Sequence, residues 1–205
     1  FAKAFQIVSE MPNMKYLQIF SHIITCLVEG EFMQMEDVYR IDQGIERYMT
    51  KTQKKTADFM EGCMELGGLL GGWSESEIVE LKKYGHALGM AFQITDDIMD
   101  YRETTETTGK PVGNDLREGL LTYPLLSIVN DDNKDKLLED IKALNNGGDE
   151  QAIIDYVIGQ GGIDNTLAVA DQYCKDALAA LDAVRDFPGK EFLVMAVENL
   201  ADRKV

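Results

Sequence analysis

The residues of this chain best suited to chemistry are the aspartates of Asp96-Asp97-Ile98-Met99-Asp100. A helix turns by about 100° per residue, so Asp96 and Asp100 stand one turn apart on one face, with Asp97 to the side. Three carboxylates this close repel one another, and aspartate is a mediocre helix former. The cluster costs stability unless a cation bridges it. Oxygen donors alone suit a hard divalent ion that keeps part of its water, Mg2+ or Mn2+. Taken alone, the run is equally well the solvated face of an acidic protein. Its surroundings favour the metal. Downstream, Gly109-Lys110-Pro111-Val112-Gly113 sets a lysine in the loop beyond the helix end. A helix C-terminus repels anions, so a phosphate held there needs cations to attract it.

The elements that must position these groups are helical. Prolines occur only at 12, 111, 124 and 188, leaving 13–110 and 125–187 free of them, as helices require. No segment alternates apolar and polar residues with β-branched enrichment, so strands are not expected. Met14, Leu17, Phe20, Ile24, Leu27 and Val28 step by three and four along one helix face. The segment Gln43–Gly71 predicts a long helix through Phe59, Cys63, Leu66 and Leu70, ended by Gly71-Gly72. Ser74 and Glu77 form a capping box that opens a helix running to Tyr101-Arg102 and carrying the aspartates. The polar stretch Glu103–Asp115 is the longest expected loop. Breaks at Asn130–Asn133, Asn145–Asp149, Gly159–Gly162 and Phe187–Gly189 delimit helices over about 117–129, 134–144, 150–158, 163–185 and 190–203. The expectation is one all-α domain of long antiparallel helices joined by short turns.

Composition narrows the partners. The 205 residues carry 36 acidic against 20 basic side chains, a net charge of −16. Affinity for nucleic acid comes largely from Lys and Arg displacing counterions, so nucleic acid is excluded as a partner, and so is an anionic membrane surface. A hydrophobic content of 45% suits a folded globule rather than an acidic disordered tail. No apolar run approaches the ~18 residues of a membrane span, so no stable membrane insertion is expected. Cys26, Cys63 and Cys174 are far apart and lack any CxxC spacing, which fits reduced thiols in a cytoplasmic protein. His22 and His86 share no ligand spacing with the cysteines, and a histidine-based metal site is not expected.

Several neighbouring motifs combine into a recognisable pattern. Phe92, Gln93, Asp96, Asp97 and Asp100, then Gly109-Lys110, Asp115-Leu116, Gly119, Thr122 and Pro124, resemble the second aspartate-rich region of the trans-isoprenyl diphosphate synthases. That pattern reads G-x-x-F-Q-x-x-D-D-x-x-D, G-K, D-L-x-x-G, T-x-P. Gly30-Glu31 with Gln34 resembles the family's G-E-x-x-Q, and Tyr48 with Lys55-Thr56-Ala57 resembles Y-L-x-x-I-x-x-K-T-A. Gly162-Ile163 with Ala168, Ala170, Tyr173 and Ala177 resembles the C-terminal helix pattern. The resemblance covers essentially the whole chain. Two departures stand out. The family's first aspartate-rich motif is absent, and Phe1-Ala2-Lys3-Ala4-Phe5 looks like the helix just after it; residues 1–205 therefore read as the C-terminal portion of a single catalytic domain. Leu120 also stands where many members have a lysine.

The resemblance implies an isoprenoid synthase fold, a helical bundle around a central cavity. It implies head-to-tail joining of isopentenyl diphosphate to an allylic diphosphate, giving an all-trans polyprenyl diphosphate. By position, Asp96 would be the principal Mg2+ ligand, with Asp97 and Asp100 acting through water or holding the ion's surroundings. Lys55, Thr56 and Lys110 would contact the allylic diphosphate, Gln93 would donate a hydrogen bond near it, and Phe92 would border the reacting carbons. The wording of the motifs looks closest to bacterial long-chain, hexaprenyl- or heptaprenyl-type enzymes. A homodimer is expected from the family, with a heterodimer as the alternative. A class I terpene cyclase and a non-catalytic subunit of a heteromeric synthase are the competing readings. The first usually carries an Asn-Ser-Glu type motif, and the second typically loses the aspartates and lysine kept here. The 205 residues alone are expected to be inactive.

Overall fold

The computed structural model describes residues 2–102 and 113–202, and among them every regular element is helical. A short α1 (Ala2–Ser9) leads into α2 (Met14–Glu36), whose first turn is capped by Asn13 accepting the Lys15 amide at 2.9 Å. Next comes an unbroken helical run in three parts: α3 (Gly44–Thr52), a π-helical turn over Gln53–Ala57, and α4 (Asp58–Leu70). The long helix predicted over 43–71 is therefore present, with a π turn that its sequence does not announce. The capping box at Ser74 forms as expected. The Ser74 amide donates to the Glu77 carboxylate at 3.1 Å, and the Glu77 amide donates to Ser74 Oγ at 3.4 Å. It opens α5 (Glu75–Arg102), the longest helix described.

The helix expected over 117–129 is not there. Two short pieces replace it, α6 (Asn114–Glu118) and α7 (Tyr123–Leu126), with α6 starting inside the expected loop. The break is at Gly119, whose φ of +75° is a left-handed conformation that only glycine adopts cheaply. Leu120 N–H then turns back to the Asp115 carbonyl at 2.8 Å, and Thr122 is extended before Pro124 opens the first turn of α7. The remaining elements follow the expected breaks closely: α8 (Lys134–Ala143), a 3₁₀ turn over Leu144–Asn146, α9 (Glu150–Gly159), α10 (Gly162–Asp182) and α11 (Lys190–Asp202).

The bundle is organised on α5. It lies antiparallel to α4, since Gly89 meets Ala57 while Gly68 meets Ile78 and Leu81. On its other side it packs along α10, whose buried Ala170, Ala177 and Ala180 allow a close approach. The core has two apolar parts. One gathers Ile94, Ile98, Leu116, Leu125, Ile141 and Val157 around the C-terminal half of α5. The other surrounds Tyr84, Ala91, Leu181 and Val197 towards its start. At about 1.5–3 kcal/mol per fully buried large apolar side chain, these parts hold α5 rigidly in place. Helix α2 is seated on the π turn through Gly30, where a Cβ atom would lie 2.8 Å from the Lys55 backbone nitrogen. No described helix is long and apolar enough to cross a membrane.

Candidate functional site

The π turn carries Lys55 and Thr56. Lys55 Nζ donates to Gln34 Oε1 at 2.8 Å and pairs with Glu31 at 2.9 Å, both on α2. Thr56 Oγ1 donates to Gln93 Oε1 at 3.0 Å, and Gln93 Nε2 donates to Asp97 Oδ1 at 3.2 Å. The second oxygen of Asp97 accepts from the Tyr48 hydroxyl on α3. A hydrogen-bonded chain thus ties α3, the π turn and α5 together. Asp97 is only 3% exposed. Burial pushes its carboxyl up to about 7, the Tyr48 and Gln93 hydrogen bonds oppose this, and the nearby Asp115 and Asp96 charges add to it. Tyr48 is driven well above the usual phenol value by burial and then by the Asp97 charge.

Asp100 is used differently. Its two oxygens accept the backbone amides of Asn114 at 3.0 Å and Asp115 at 3.1 Å, and its carbonyl accepts Gly113 N–H at 2.9 Å. Burial raises its pKa against the pull of those two amides. The contact brings a fourth carboxylate, Asp115, to the others. Burial lifts Asp115 to about 6, with repulsion from Asp100 and Asp96 adding to the rise. Asp96 is exposed and has no hydrogen bond or ion pair among the described residues.

These groups enclose a cleft of about 160 Å³ lined in part by Tyr48, Lys51, Lys55, Thr56, Gln93, Asp96, Asp97, Asp115, Leu120 and Thr122. It contains two ammonium groups and three carboxylates, so it is suited to an anion and a cation bound together. Of the residues singled out in sequence, Asp96, Asp97, Lys55, Thr56 and Gln93 meet here. Asp100 does not line the cleft but holds Asp115, which does. Phe92 lies one turn before Asp96 and is 38% exposed, outside the cleft lining. Lys110 lies outside the described residues. Asp115 and Lys51 are contributors that the sequence reading did not place in the site. Asp115 belonged to a quoted motif and was within reach of that reasoning; Lys51 had no such signal.

The donor set fits a hard divalent cation at one end of the cleft. Asp96 offers a carboxylate with no donor on it among the described residues, and Asp115 lines the same cleft. The three aspartates 96, 97 and 100 do not converge on one point, because Asp97 and Asp100 already accept protein donors. Among the described residues, the His, Cys, Asp and Glu atoms that do converge, within 4.8 Å of one another, belong to Asp58, Glu61 and His86. Local spacing cannot show this grouping, because His86 is on α5 and its partners are on α4. Lys82 already pairs with Glu61 at 3.3 Å and with Glu65 at 2.8 Å, and His86 Nδ1 is 3.5 Å from Glu61. Lys82 and His86 of α5 thus face Glu61 and Glu65 of α4 and brace the two helices.

The cleft and its helical frame recur in known proteins. The sequence pattern of the family described as Polyprenyl synthetase matches residues 1–159. Heptaprenyl diphosphate synthase component 2 of Geobacillus stearothermophilus is 32% identical over 184 residues, covering 90% of this chain and 58% of that relative. The chain thus spans little more than half of that relative's length. The crystal structure of a decaprenyl diphosphate synthase from Rhodobacter capsulatus superposes with a TM-score of 0.89 at 27% identity, covering 100% of this chain and 64% of that one. A polyprenyl synthase from Caulobacter crescentus, crystallised with calcium and isoprenyl diphosphate, superposes with a TM-score of 0.87 at 30% identity, over 100% of this chain and 64% of that one. By its sequence pattern and its all-helical isoprenoid synthase fold, the chain belongs to the polyprenyl synthetase family of prenyltransferases.

Proposed function

We propose that the protein containing this chain joins isopentenyl diphosphate head-to-tail to an allylic diphosphate and releases an all-trans polyprenyl diphosphate. The observation that carries this reading is the cleft itself, lined by Lys55 and Thr56 and by Asp96, which has no partner among the described residues. In the reaction the allylic C–O bond breaks and diphosphate leaves with the bonding electrons. The isopentenyl double bond attacks the resulting carbon cation, and the proton lost from isopentenyl carbon passes to diphosphate. Bound Mg2+ would supply charge neutralisation to the leaving group. Asp96 is its principal ligand in this chain, with Asp97 and Asp100 holding the surrounding structure and water.

The chain's own residues bind and orient. Lys55 turns its ammonium from Glu31 and Gln34 to the allylic diphosphate, and Thr56 and Lys110 add donors. Gln93, held by Asp97 and Thr56, keeps its amide aimed at the same group. Phe92 is outside the cleft lining, and a place beside the reacting carbons, where an aromatic face would stabilise positive charge, is what the family resemblance implies for it. The relative from Geobacillus stearothermophilus is named as component 2 of a heptaprenyl diphosphate synthase, which supports a different subunit as a partner beside the homodimer that the family resemblance implies.

The test is incorporation of labelled isopentenyl diphosphate into extractable lipid with an allylic diphosphate primer. Incorporation should need a divalent cation, and Asp96→Ala should lower turnover by orders of magnitude at unchanged melting temperature. Wild-type rates in that variant would remove Asp96 from the metal role; a wild-type protein that makes no lipid would remove the reading.

A further inference from the structure

Lys51 is buried at one end of the cleft, with 8% of its surface exposed. An ammonium this deep needs compensating charge, because an unpaired buried ion costs several kcal/mol or more. The protein supplies little. Lys51 Nζ donates to the neutral Gln43 Oε1 at 3.2 Å and lies 3.6 Å from Asp37 Oδ2, beyond hydrogen-bonding range. Asp37 is shared: its Oδ1 lies 2.6 Å from Arg47 Nε and 3.6 Å from Arg40 Nη1, while its buried Oδ2 has no hydrogen-bond partner. Three cations therefore share one buried carboxylate. Arg47 has Glu36 at 2.8 Å as a second partner, and Arg40 has Asp42 at 3.6 Å. The other carboxylate whose charge acts on Lys51 is Asp97, across the cleft and without a hydrogen bond to it. Of its three donors, only one has an acceptor at hydrogen-bonding distance among the described residues, and the side chain lines the cleft.

We propose that Lys51 is a phosphate-binding residue, whose ammonium donates to an oxygen of the diphosphate held in this cleft. The inference rests on the function proposed above and extends it to a residue outside the motifs. It also explains how the wall formed by Leu120 functions without a charge of its own. Lys51 and Leu120 line the same cleft, so the cation that the wall needs is delivered from α3 instead of from the segment after Gly119. The anion completes the pairing that Asp37 leaves unfinished, and its binding relieves the cost of burying Lys51.

The experiment titrates inorganic diphosphate, with saturating Mg2+, into the purified protein by calorimetry. It compares wild type, Lys51→Met, Lys51→Arg and the double variant Lys51→Met/Leu120→Lys, each checked for its melting temperature without ligand. Loss of one charged hydrogen bond predicts a Kd about 10-fold or more weaker for Lys51→Met, with Lys51→Arg close to wild type. Leu120→Lys should recover most of the loss, which a purely structural lysine would not allow. Wild-type affinity in a folded Lys51→Met, or a loss that Leu120→Lys leaves uncorrected, overturns the proposal. A second readout needs no folded variant: the lysine ammonium resonance of Lys51 in the wild-type protein should shift on adding magnesium diphosphate, and an unmoved resonance at saturation overturns it too. Absence of any diphosphate binding by the wild-type protein refutes the functional reading itself; normal wild-type binding with an indifferent Lys51→Met refutes only the role of Lys51.

Discussion

Asp96 and Asp97 are neighbours in sequence and opposites in surroundings. Asp96 is exposed with no donor among the described residues, while Asp97 is buried and accepts from Tyr48 and Gln93. The difference has a measurable signature. Asp97 rises from an ordinary 3.8 to about 7 in the fold, so the folded chain holds its proton more tightly than the unfolded one. The stabilisation this gives is complete below pH 3.8 and is lost as pH climbs through 7. Metal-free protein should therefore lose stability from pH 5 to pH 8, with a shallower loss in Asp97→Asn; parallel melting curves for the two proteins would show that Asp97 does not titrate in this window.

At the level of elements, two irregularities shape the cleft: the π turn at Gln53–Ala57 and the left-handed break at Gly119. Deleting Gln53 should convert the π turn to regular α-helix. The melting temperature should move little, while affinity for magnesium diphosphate should fall about 10-fold, because Lys55 and Thr56 rotate relative to Gln34 and Gln93. Retained affinity would show that the π turn is not needed. Gly119→Ala places a Cβ in a left-handed conformation at a cost of about 1–2 kcal/mol, and also against the ring of Tyr39; denaturant unfolding reads the loss. Neither irregularity could be read from the residues alone. Apolar periodicity, the capping box at Ser74 and the double glycine at 71–72 made most of the helices legible, because each is a local signal. A π turn, by contrast, is imposed by what the helix packs on, here Gly30 of α2, which is distant in sequence. The single helix expected at 117–129 does not form, because the left-handed Gly119 and Pro124 together punctuate the chain. Of the aspartate motif, Asp96 and Asp97 line the cleft, whereas Lys51 carries no sequence signal, since its burial depends on its packing near Asp37 and Gln43.

For the molecule as a whole, the charge of −16 means self-repulsion that weakens the compact state at low ionic strength. Monovalent salt up to a few tenths molar should raise the melting temperature by screening. Mg2+ at matched ionic strength should raise it further, through binding to the folded form. Asp96→Ala should keep the first increment and lose the second. Equal gains from both salts would mean that the acidic surface, not a site, is responsible. The expectation from this charge that nucleic acid is no partner is compatible with the proposed phosphate ligand, because the cleft is lined by Lys51 and Lys55 and, on the proposed function, its aspartates would hold a cation.

The link from Asp100 to residues 113–115 has a further implication for variation. One side chain and one carbonyl fasten residues 113–115 to the last turns of α5. A substitution at Asp100 should therefore act at a distance: it removes the two acceptors that hold the backbone of Asn114 and Asp115, so Asp115 loses its place in the cleft although Asp100 itself lines none of it.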